Sequence, residues 1–447
     1  MSRLYHVLTW GCQMNEHDSE KLAGLLEGLG WSEAPDPENA DLVLLNTCAV
    51  REKAEEKVHG MLDRLGHLQR TSRPDLLVAF CGCVGQLRGE EIPRRWPFVQ
   101  LVFGPRNLPD LPAMLAELAR DGGPVVRTDL SANNLRLPGT LARRDPERPK
   151  AWITIMEGCD KSCAYCIVPR TRGREEYRSL DDILAEVRLL AEEGFPEIEL
   201  LGQNVNAWRD PATGAGFDVL LRRVAEEGRG AVRRIRFATS HPVHLSSAIV
   251  RAMAEVPEVC DALHLPVQSG SSRVLRAMRR GYDREGYLRK VGELREAIPG
   301  IALSTDVIVG FPGETGEDFE ETMTLLETVG FEQVFSFVYS PRPGTPAAEI
   351  EDPEPRERKV ERLMRLQERQ KELQLARNRS LVGRVFEILV EGKARRDSTE
   401  WAGRTTTNRV VNFPGPPDLG PGRFVRVEIT DAGPHSLRGR IVPEGAA

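Results

Sequence analysis

Apolar positions in the first 145 residues come in short unbroken runs: "YHVLTWG", "DLVLLNTC", "LLVAFCGC" and "LVFGP". Each run is followed by a stretch of helical spacing: "NEHDSEKLAGLLEGLG", "REKAEEKVHGMLDRLGHLQ", "GEEIPRRW" and "LPDLPAMLAELA". Unbroken apolar runs suit strands covered on both faces, and strands alternating with helices predict an α/β unit with a parallel, doubly wound sheet. The polar, Pro/Arg-rich "LPGTLARRDPERPK" reads as a linker.

From Ala151 to about Ser340 the alternation starts again, with candidate strands "WITIME", "EIELLG", "RRIRFATS", "ALHLPVQ", "IALSTDVIVG" and "QVFSFVYS". Six such strands separated by helices predict a (β/α) barrel or partial barrel. "PEPRERKVERLMRLQERQKELQLARNR" is a charged helix leading away. Beyond it "LVGRVFEILVEG", "RTTTNRVVNF", "RFVRVEITDAG" and "SLRGRIV" are short runs between Gly/Pro turns, the pattern of a small β-barrel or sandwich. The expected domains are 1–145, 146–379 and 380–447.

Composition adds limits rather than a function. A chain of 447 residues has room for about three domains at roughly 100–200 residues each. "MSRLYHVLTWGCQMNEHDSE" lacks a signal-peptide core and no 18-residue apolar run occurs, so a cytoplasmic protein without a membrane span is expected. In that reducing compartment eight cysteines serve as ligands or free thiols rather than disulfides. The net charge of −6 argues against a wholly basic nucleic-acid binder. Residues 380–447 nevertheless hold ten Lys/Arg against eight Asp/Glu, +2, which leaves −8 for the remainder. That contrast suits either a solvated surface or a phosphate-contacting tail.

The cysteines carry the chemistry. Cys12, Cys48 and Cys83 each fall where a predicted parallel strand meets its following loop. Carboxyl ends of such strands gather on one edge, where ligands bind, so three thiols distant in sequence are expected to meet; three ordinary buried thiols are the plainer alternative. Cys81, inside a strand, and Cys260 read as packed thiols. In "EGCDKSCAYCIVPR" a second set, Cys159, Cys163 and Cys166, follows the first strand of the second unit with C-x3-C-x2-C spacing. A closed structural zinc site needs four ligands. Three thiolates on a 4Fe–4S cluster leave one iron open to a substrate or cofactor.

That spacing, with Tyr165 directly before the third cysteine, resembles the radical S-adenosylmethionine superfamily. "DVIVGFPGET", with Gly310, Gly313 and Glu314, resembles its glycine-bearing strand end, and glycine there permits close backbone approach. Three cysteines before a radical barrel and a small β-domain after it resemble the methylthiotransferases. The likeness spans nearly the whole chain, through "TWGCQMNEHDSE", "NTCAVREKAEEK", "GCVGQ", "GCDKSCAYCIVPRTRGREEYRS", "HLPVQSGSSRVLRAMRRGY" and "YSPRPGTPA". "LLGQNVNAW" and "TSHP" favour the branch that methylthiolates dimethylallyladenosine in tRNA. Trp208 and Gly85 stand where that branch leads one to expect tyrosine and alanine.

The resemblance implies an auxiliary 4Fe–4S cluster on Cys12, Cys48 and Cys83, and a catalytic radical cluster on Cys159, Cys163 and Cys166. It implies S-adenosylmethionine as cofactor, two molecules per turnover, with Gln203, Asn204, Ser240, His241 and Gln268 at barrel strand ends, together with Gly310, Gly313 and Glu314, as cofactor or base contacts. A radical would open the unactivated C–H at carbon 2 of adenine, and sulfur from the auxiliary cluster would be inserted there. Implied partners are the tRNA anticodon loop and a flavodoxin- or ferredoxin-like electron donor, with the enzyme a monomer. The tail resembles the TRAM module, with Arg404, Arg409, Arg423 and Arg426 as candidate phosphate contacts. The competing readings are the same chemistry on threonylcarbamoyl-adenosine or on a ribosomal-protein aspartate, and a non-enzymatic iron–sulfur sensor that binds RNA.

Overall fold

The structure, a computed structural model, describes residues 3–49, 52–138, 141–145 and 147–443, with backbone alone at 52–56 and 136. Residues 50 and 51 of "NTCAVREKAEEK" and 139, 140 and 146 of the linker lie outside it, as do 444–447 of the tail.

The N-terminal apolar runs become strands β1 (Leu4–Trp10), β3 (Leu42–Thr47), β4 (Leu77–Gly82) and β5 (Leu101–Phe103). Short β2 (Ser32–Glu33) and β6 (Val125–Arg127) extend the sheet, and all six strands run parallel in the order β2-β1-β3-β4-β5-β6. Helices α1 (Gln13–Gly28), α2 (Glu52–Thr71), α3 (Cys83–Arg88), α4 (Glu91–Arg95) and α5 (Leu111–Asp121) cover it. Alternation along β3 sorts the core into two layers. Val43 and Leu45 pack with Leu62 and Leu65 of α2, whereas Leu42 and Leu44 pack with Leu22 of α1 and Met114 of α5. Both faces are therefore buried, as continuous apolar strands require.

The second unit begins with β7 (Lys150–Thr154) and a two-residue ribbon of β8 (Met156–Glu157) with β9 (Glu176–Tyr177). It continues through β10 (Glu197–Leu201), β11 (Arg234–Phe237), β12 (Ala262–His264), β13 (Ala302–Val309) and β14 (Gln333–Val338). Two parallel three-stranded sheets, β7-β10-β11 and β12-β13-β14, are joined by an Ile235–Val259 bridge into a partial barrel. Its helices are α6 (Val168–Thr171), α7 (Leu180–Glu192), α8 (Phe217–Glu227), α9 (Ser247–Glu255), α10 (Ser272–Ala277), α11 (Arg284–Ala297) and α12 (Gly316–Val329), and α13 (Arg356–Arg379) leads to the tail.

One apolar layer holds these helices to the outward residues of the strands, among them Ile153, Ile198, Ile235, Leu303 and Val307. The opposite, inward face of β7, β10 and β11 carries charged residues beside Trp152 and Leu201, which pack on Met14 of α1. Lys150 pairs with Glu199 at 2.8 Å and Arg236 with Glu197 at 3.0 Å.

The tail is a closed five-stranded barrel of β15 (Val385–Lys393), β16 (Glu400–Arg404), β17 (Val410–Pro414), β18 (Phe424–Ala432) and β19 (Leu437–Ile441). Sequence reading anticipates four of these strands. It misses β16, whose register sets Gly403 against Val390 and Val411. An added Cβ there would stand 2.2 Å from the Leu389 carbonyl, so this strand owes its glycine to close packing.

The tail docks into the inner face of the partial barrel. Arg234 donates to the carbonyls of Arg404 (2.7 Å) and Glu387 (3.0 Å), and Arg236 to those of Thr405 (2.8 Å) and Thr406 (3.0 Å). Arg409 is mostly buried and pairs with Glu332 at 2.5 Å, just before β14. Its expected phosphate role is therefore corrected: Arg409 is a joint between domains. Arg404 is likewise tied up, to Glu391 at 3.0 Å and to the Asn408 carbonyl at 3.1 Å.

Candidate metal centres

The first cysteine set meets as the strand order requires. Cys12 caps α1 just after β1, Cys48 directly follows β3, and Cys83 directly follows β4, on three adjacent strands. Gly82 turns β4 into α3 with φ +86°, and an added Cβ would stand 2.6 Å from the Thr47 carbonyl, so only glycine delivers Cys83 here. Asn15 and Asn46 brace the other side: Asn15 Nδ2 donates to Asn46 Oδ1 at 3.0 Å, and Cys12 Sγ lies 3.4 Å from Asn15 Oδ1.

Electrostatics distinguish these thiols. A hydrogen bond from Cys48 pulls Cys12 down to about 6, against the opposing effect of burial and with help from Arg172. Burial raises Cys83, with Arg172 pulling the other way, and burial holds Cys81 well above an ordinary thiol. Cys81 packs among apolar residues and is no part of the set.

Arg172 comes from the second unit. It is buried beside Cys83 and Cys12 and donates to Glu157 Oε1 at 2.7 Å and Asp18 Oδ2 at 2.6 Å. Arg106, from the first unit, reaches back to the carbonyls of Arg172 (2.6 Å) and Arg174 (2.5 Å). A pair of reciprocal arginines thus fixes the cysteine edge of the sheet against the loop that carries the second set.

That second set lies between two glycine-dependent turns. Gly158, with φ +83°, would place a Cβ 2.0 Å from the Arg174 carbonyl. Its N–H donates to Gln203 Oε1 at 2.6 Å, and the Cys159 N–H donates to the Gly173 carbonyl at 3.1 Å. Arg280 Nη1 stands 3.3 Å from both Cys163 Sγ and the Tyr165 hydroxyl, while its Nη2 donates to the Pro266 carbonyl at 3.1 Å. Burial pushes the Cys159 thiol up to about 11 and the Cys166 thiol up to about 12. Loading iron onto these thiols releases protons.

The other expected site residues fall at the same strand ends with different roles. Gln203 spends its oxygen on Gly158, and Asn204 Nδ2 donates to Glu175 at 2.9 Å. Asn204 Oδ1, Ser240 Oγ, His241 Nε2, His244 Nε2 and the Tyr339 hydroxyl are buried without a partner. Burial, with Arg280 next, drives His241 down to about 2, so its ring is neutral. Gln268 and Thr239 sit at positive φ, +74° and +66°, strain of the kind that accumulates at functional sites.

Gly310, at φ +68°, has the Lys359 stem where a Cβ would lie, so the close approach it permits is to Lys359; Gly313 faces open space. Glu314 closes this turn, accepting from the Gly310 N–H at 3.1 Å and from Arg362 at 3.0 Å. Sequence reading leaves Arg172 and Arg280 unassigned, although both lie inside motifs it quotes, "PRTRG" and "MRRGY".

The donor sets suit iron–sulfur clusters. Each is three thiols with a buried guanidinium against one of them, a counter-charge for an anionic thiolate-bound group. Among the described residues no three His, Cys, Asp or Glu side chains converge as a single ion demands; thiolates on separate irons stand farther apart. The unpartnered polar atoms near the second set suit a polar cofactor.

Three family models match the chain: Uncharacterized protein family UPF0004 over residues 4–104, the radical SAM superfamily over 153–326 and the TRAM domain over 379–442. Among curated proteins, tRNA-2-methylthio-N(6)-dimethylallyladenosine synthase of Aromatoleum aromaticum is 49% identical over 99% of both chains. That of Methylococcus capsulatus is 47% identical over 99% of this chain and 96% of its own. The chain belongs to the tRNA-2-methylthio-N(6)-dimethylallyladenosine synthase family. Among solved structures, the radical S-adenosylmethionine methyltransferase TsrM from Kitasatospora setae, with cobalamin and a [4Fe-4S] cluster, aligns with a TM-score of 0.58 at 16% identity. That alignment covers 78% of this chain and 74% of TsrM, a likeness of fold. The synthase family accounts for the three-unit order, and Gly85 has a local cause: a Cβ there would lie 2.7 Å from the Phe103 carbonyl.

Proposed function

We propose that this chain methylthiolates carbon 2 of dimethylallyladenosine in tRNA, using S-adenosylmethionine and two 4Fe–4S clusters. The observation that carries this reading is the pair of three-thiol sites on facing edges, joined through Arg172 and Glu157, two residues before Cys159. We assign Cys12, Cys48 and Cys83 to the auxiliary cluster and Cys159, Cys163 and Cys166 to the radical cluster, in domains 1–145, 146–379 and 380–447.

When bound, these groups supply the electron, the radical and the methylated sulfur that an unactivated C–H demands. The chain's own residues supply the setting. Arg172 and Arg280 offset negative charge at the two sites. Neutral His241, with Ser240 and Asn204, offers hydrogen bonds without donating a proton to a radical centre. Cys163 is buried while Cys159 and Cys166 stay partly exposed, which leaves the second site open on one side to a cofactor.

The RNA-facing role rests with the tail. Arg438 pairs with Glu400 and Arg440 with Glu428, so Arg384, Arg395, Arg396, Arg423 and Arg426 are the tail arginines without an ion pair among the described residues and are left for phosphate. No helix among the described residues is long and apolar enough to cross a membrane. We assign a cytoplasmic monomer reduced by a flavodoxin- or ferredoxin-like protein; each chain carries both thiol sets.

The test is mass spectrometry of tRNA nucleosides after anaerobic reaction with S-adenosylmethionine and reductant. The expected product is the 2-methylthio derivative from dimethylallylated tRNA, and far less from unmodified tRNA. Modification of threonylcarbamoyl-adenosine instead would favour the sister reading.

A further inference from the structure

Two phenylalanines of β14 are exposed where a barrel strand has no evident need of them. Phe335 is 41% and Phe337 46% accessible, while their neighbours Val334 and Val338 pack on the helix-covered core. Strand alternation therefore turns both rings to the inner face. Register confirms the side: Phe335 lies opposite Asp306 and Phe337 opposite Ile308.

Ile308 packs in the apolar cluster that contains Ala164 and Tyr165, between the radical-set cysteines. Phe337 is thus one strand away from the packing that seats the radical-set loop. Beside Phe335, His264 approaches edge-on at 5.8 Å between centroids, holds Asp306 Oδ2 at 3.4 Å through Nε2, and meets Ser304 Oγ at 3.0 Å through Nδ1. At the amino-terminal end of this interior the tail barrel is fastened through Arg234, Arg236 and Glu332. What remains is an open-sided chamber with two aromatic faces and one positioned carboxylate.

We propose that this chamber receives the target base, with Phe335 and Phe337 clasping the purine and its dimethylallyl group and Asp306 accepting the N6–H. The inference rests on the function proposed above and names the residues that set its substrate preference. A base splayed from an RNA loop gains by stacking on aromatic rings. An N6-alkylated adenine keeps one N–H, which a carboxylate can accept. The five-carbon substituent needs an apolar wall, and exposed phenyl rings beside a polar dyad provide both at once.

The experiment uses the reconstituted holoenzyme and two anticodon stem–loop RNAs, one with dimethylallyladenosine and one with adenosine. Phe337→Ala and Phe335→Ala should each lower kcat/KM on the alkylated RNA by about tenfold or more and on the unmodified RNA by clearly less, so that the preference for the alkylated RNA shrinks. Phe337→Leu, which keeps an apolar wall, should retain most of the preference. Asp306→Leu should weaken binding of both RNAs. Because the rings are exposed, truncation leaves no core cavity, and iron content checks the fold.

A wild-type enzyme that prefers the alkylated RNA, with both alanine variants keeping that preference, overturns the pocket alone. A wild-type enzyme with no preference overturns the functional reading beneath it. Loss of S-adenosylmethionine cleavage in the absence of RNA would put the cofactor in this chamber and overturn the assignment.

Discussion

The two cysteine sets solve one chemical problem by opposite routes. Cys159, Cys163 and Cys166 sit in one loop, and their positions are fixed by sequence spacing. Cys12, Cys48 and Cys83 are brought together only by a parallel sheet whose adjacent strands end on the same edge. The supporting charge follows the same division. Arg280 reaches Cys163 from its own domain and touches hydroxyls and a carbonyl, whereas Arg172 crosses between domains and is held by two buried carboxylates. A set held by one loop keeps its spacing under local control; a set assembled by topology also depends on the joint between domains.

The hardest test of this contrast separates the two sets by iron. Anaerobic reconstitution should give about eight iron per chain, and changing either set of three cysteines to alanine should leave about four. The Cys159/Cys163/Cys166 variant should form no 5′-deoxyadenosine. The Cys12/Cys48/Cys83 variant should still form it while delivering no methylthio group to tRNA. A triple variant that keeps all its iron breaks the assignment of that set.

The arginines come next. Arg172→Met strands Asp18 and Glu157 as buried carboxylates and should cost about 3–5 kcal/mol in chemical denaturation, as uncompensated buried charges do. Adding Asp18→Asn and Glu157→Gln should recover part of it. Arg280→Met strands no carboxylate and should cost nearer 1–3 kcal/mol. Equal losses would mean the cross-domain route carries no special dependence.

The smallest effect sharpens the comparison in the metal-free chain. At pH 7 Cys12, at about 6, is mostly thiolate, while Cys159 and Cys166, at about 11 and 12, hold their protons. Iodoacetamide labelling followed by peptide mass spectrometry should therefore mark Cys12 about tenfold faster or more. Lowering the pH to 5 should slow the labelling of Cys12 by about tenfold as it takes up its proton, while it stays ahead of Cys159 and Cys166. An equal rate at pH 7 would place all three thiols in one environment.

How much of this was legible in sequence depended on range. The apolar runs gave four strands of the first sheet and six of the partial barrel, because each sets apolar side chains against a helix-covered core. The two- and three-residue strands β2 and β6, and β16 with its Ala402 and Gly403, carry too little pattern to stand out. Both cysteine sets were readable, one from spacing and one from strand ends. Arg172 was not: its partner Asp18 lies 154 positions away, and nothing local distinguishes it from Arg170 or Arg174. Arg409 was misread for the same reason, since Glu332 is its neighbour only in space.

Arg234 and Arg236 grip the tail barrel chiefly by its peptide carbonyls, with the Glu387 carboxylate and the Phe424 ring the side chains that Arg234 also meets. A joint of that kind discriminates little among sequences; beyond Arg409, Glu387 and Phe424 it asks only that the backbone follow the right path. Side chains on the module's outer surface are then free to drift toward new RNA targets without loosening the attachment. A foreign barrel with the same hairpin path and an arginine in the place of Arg409 should seat on this enzyme, which makes the tail an exchangeable part.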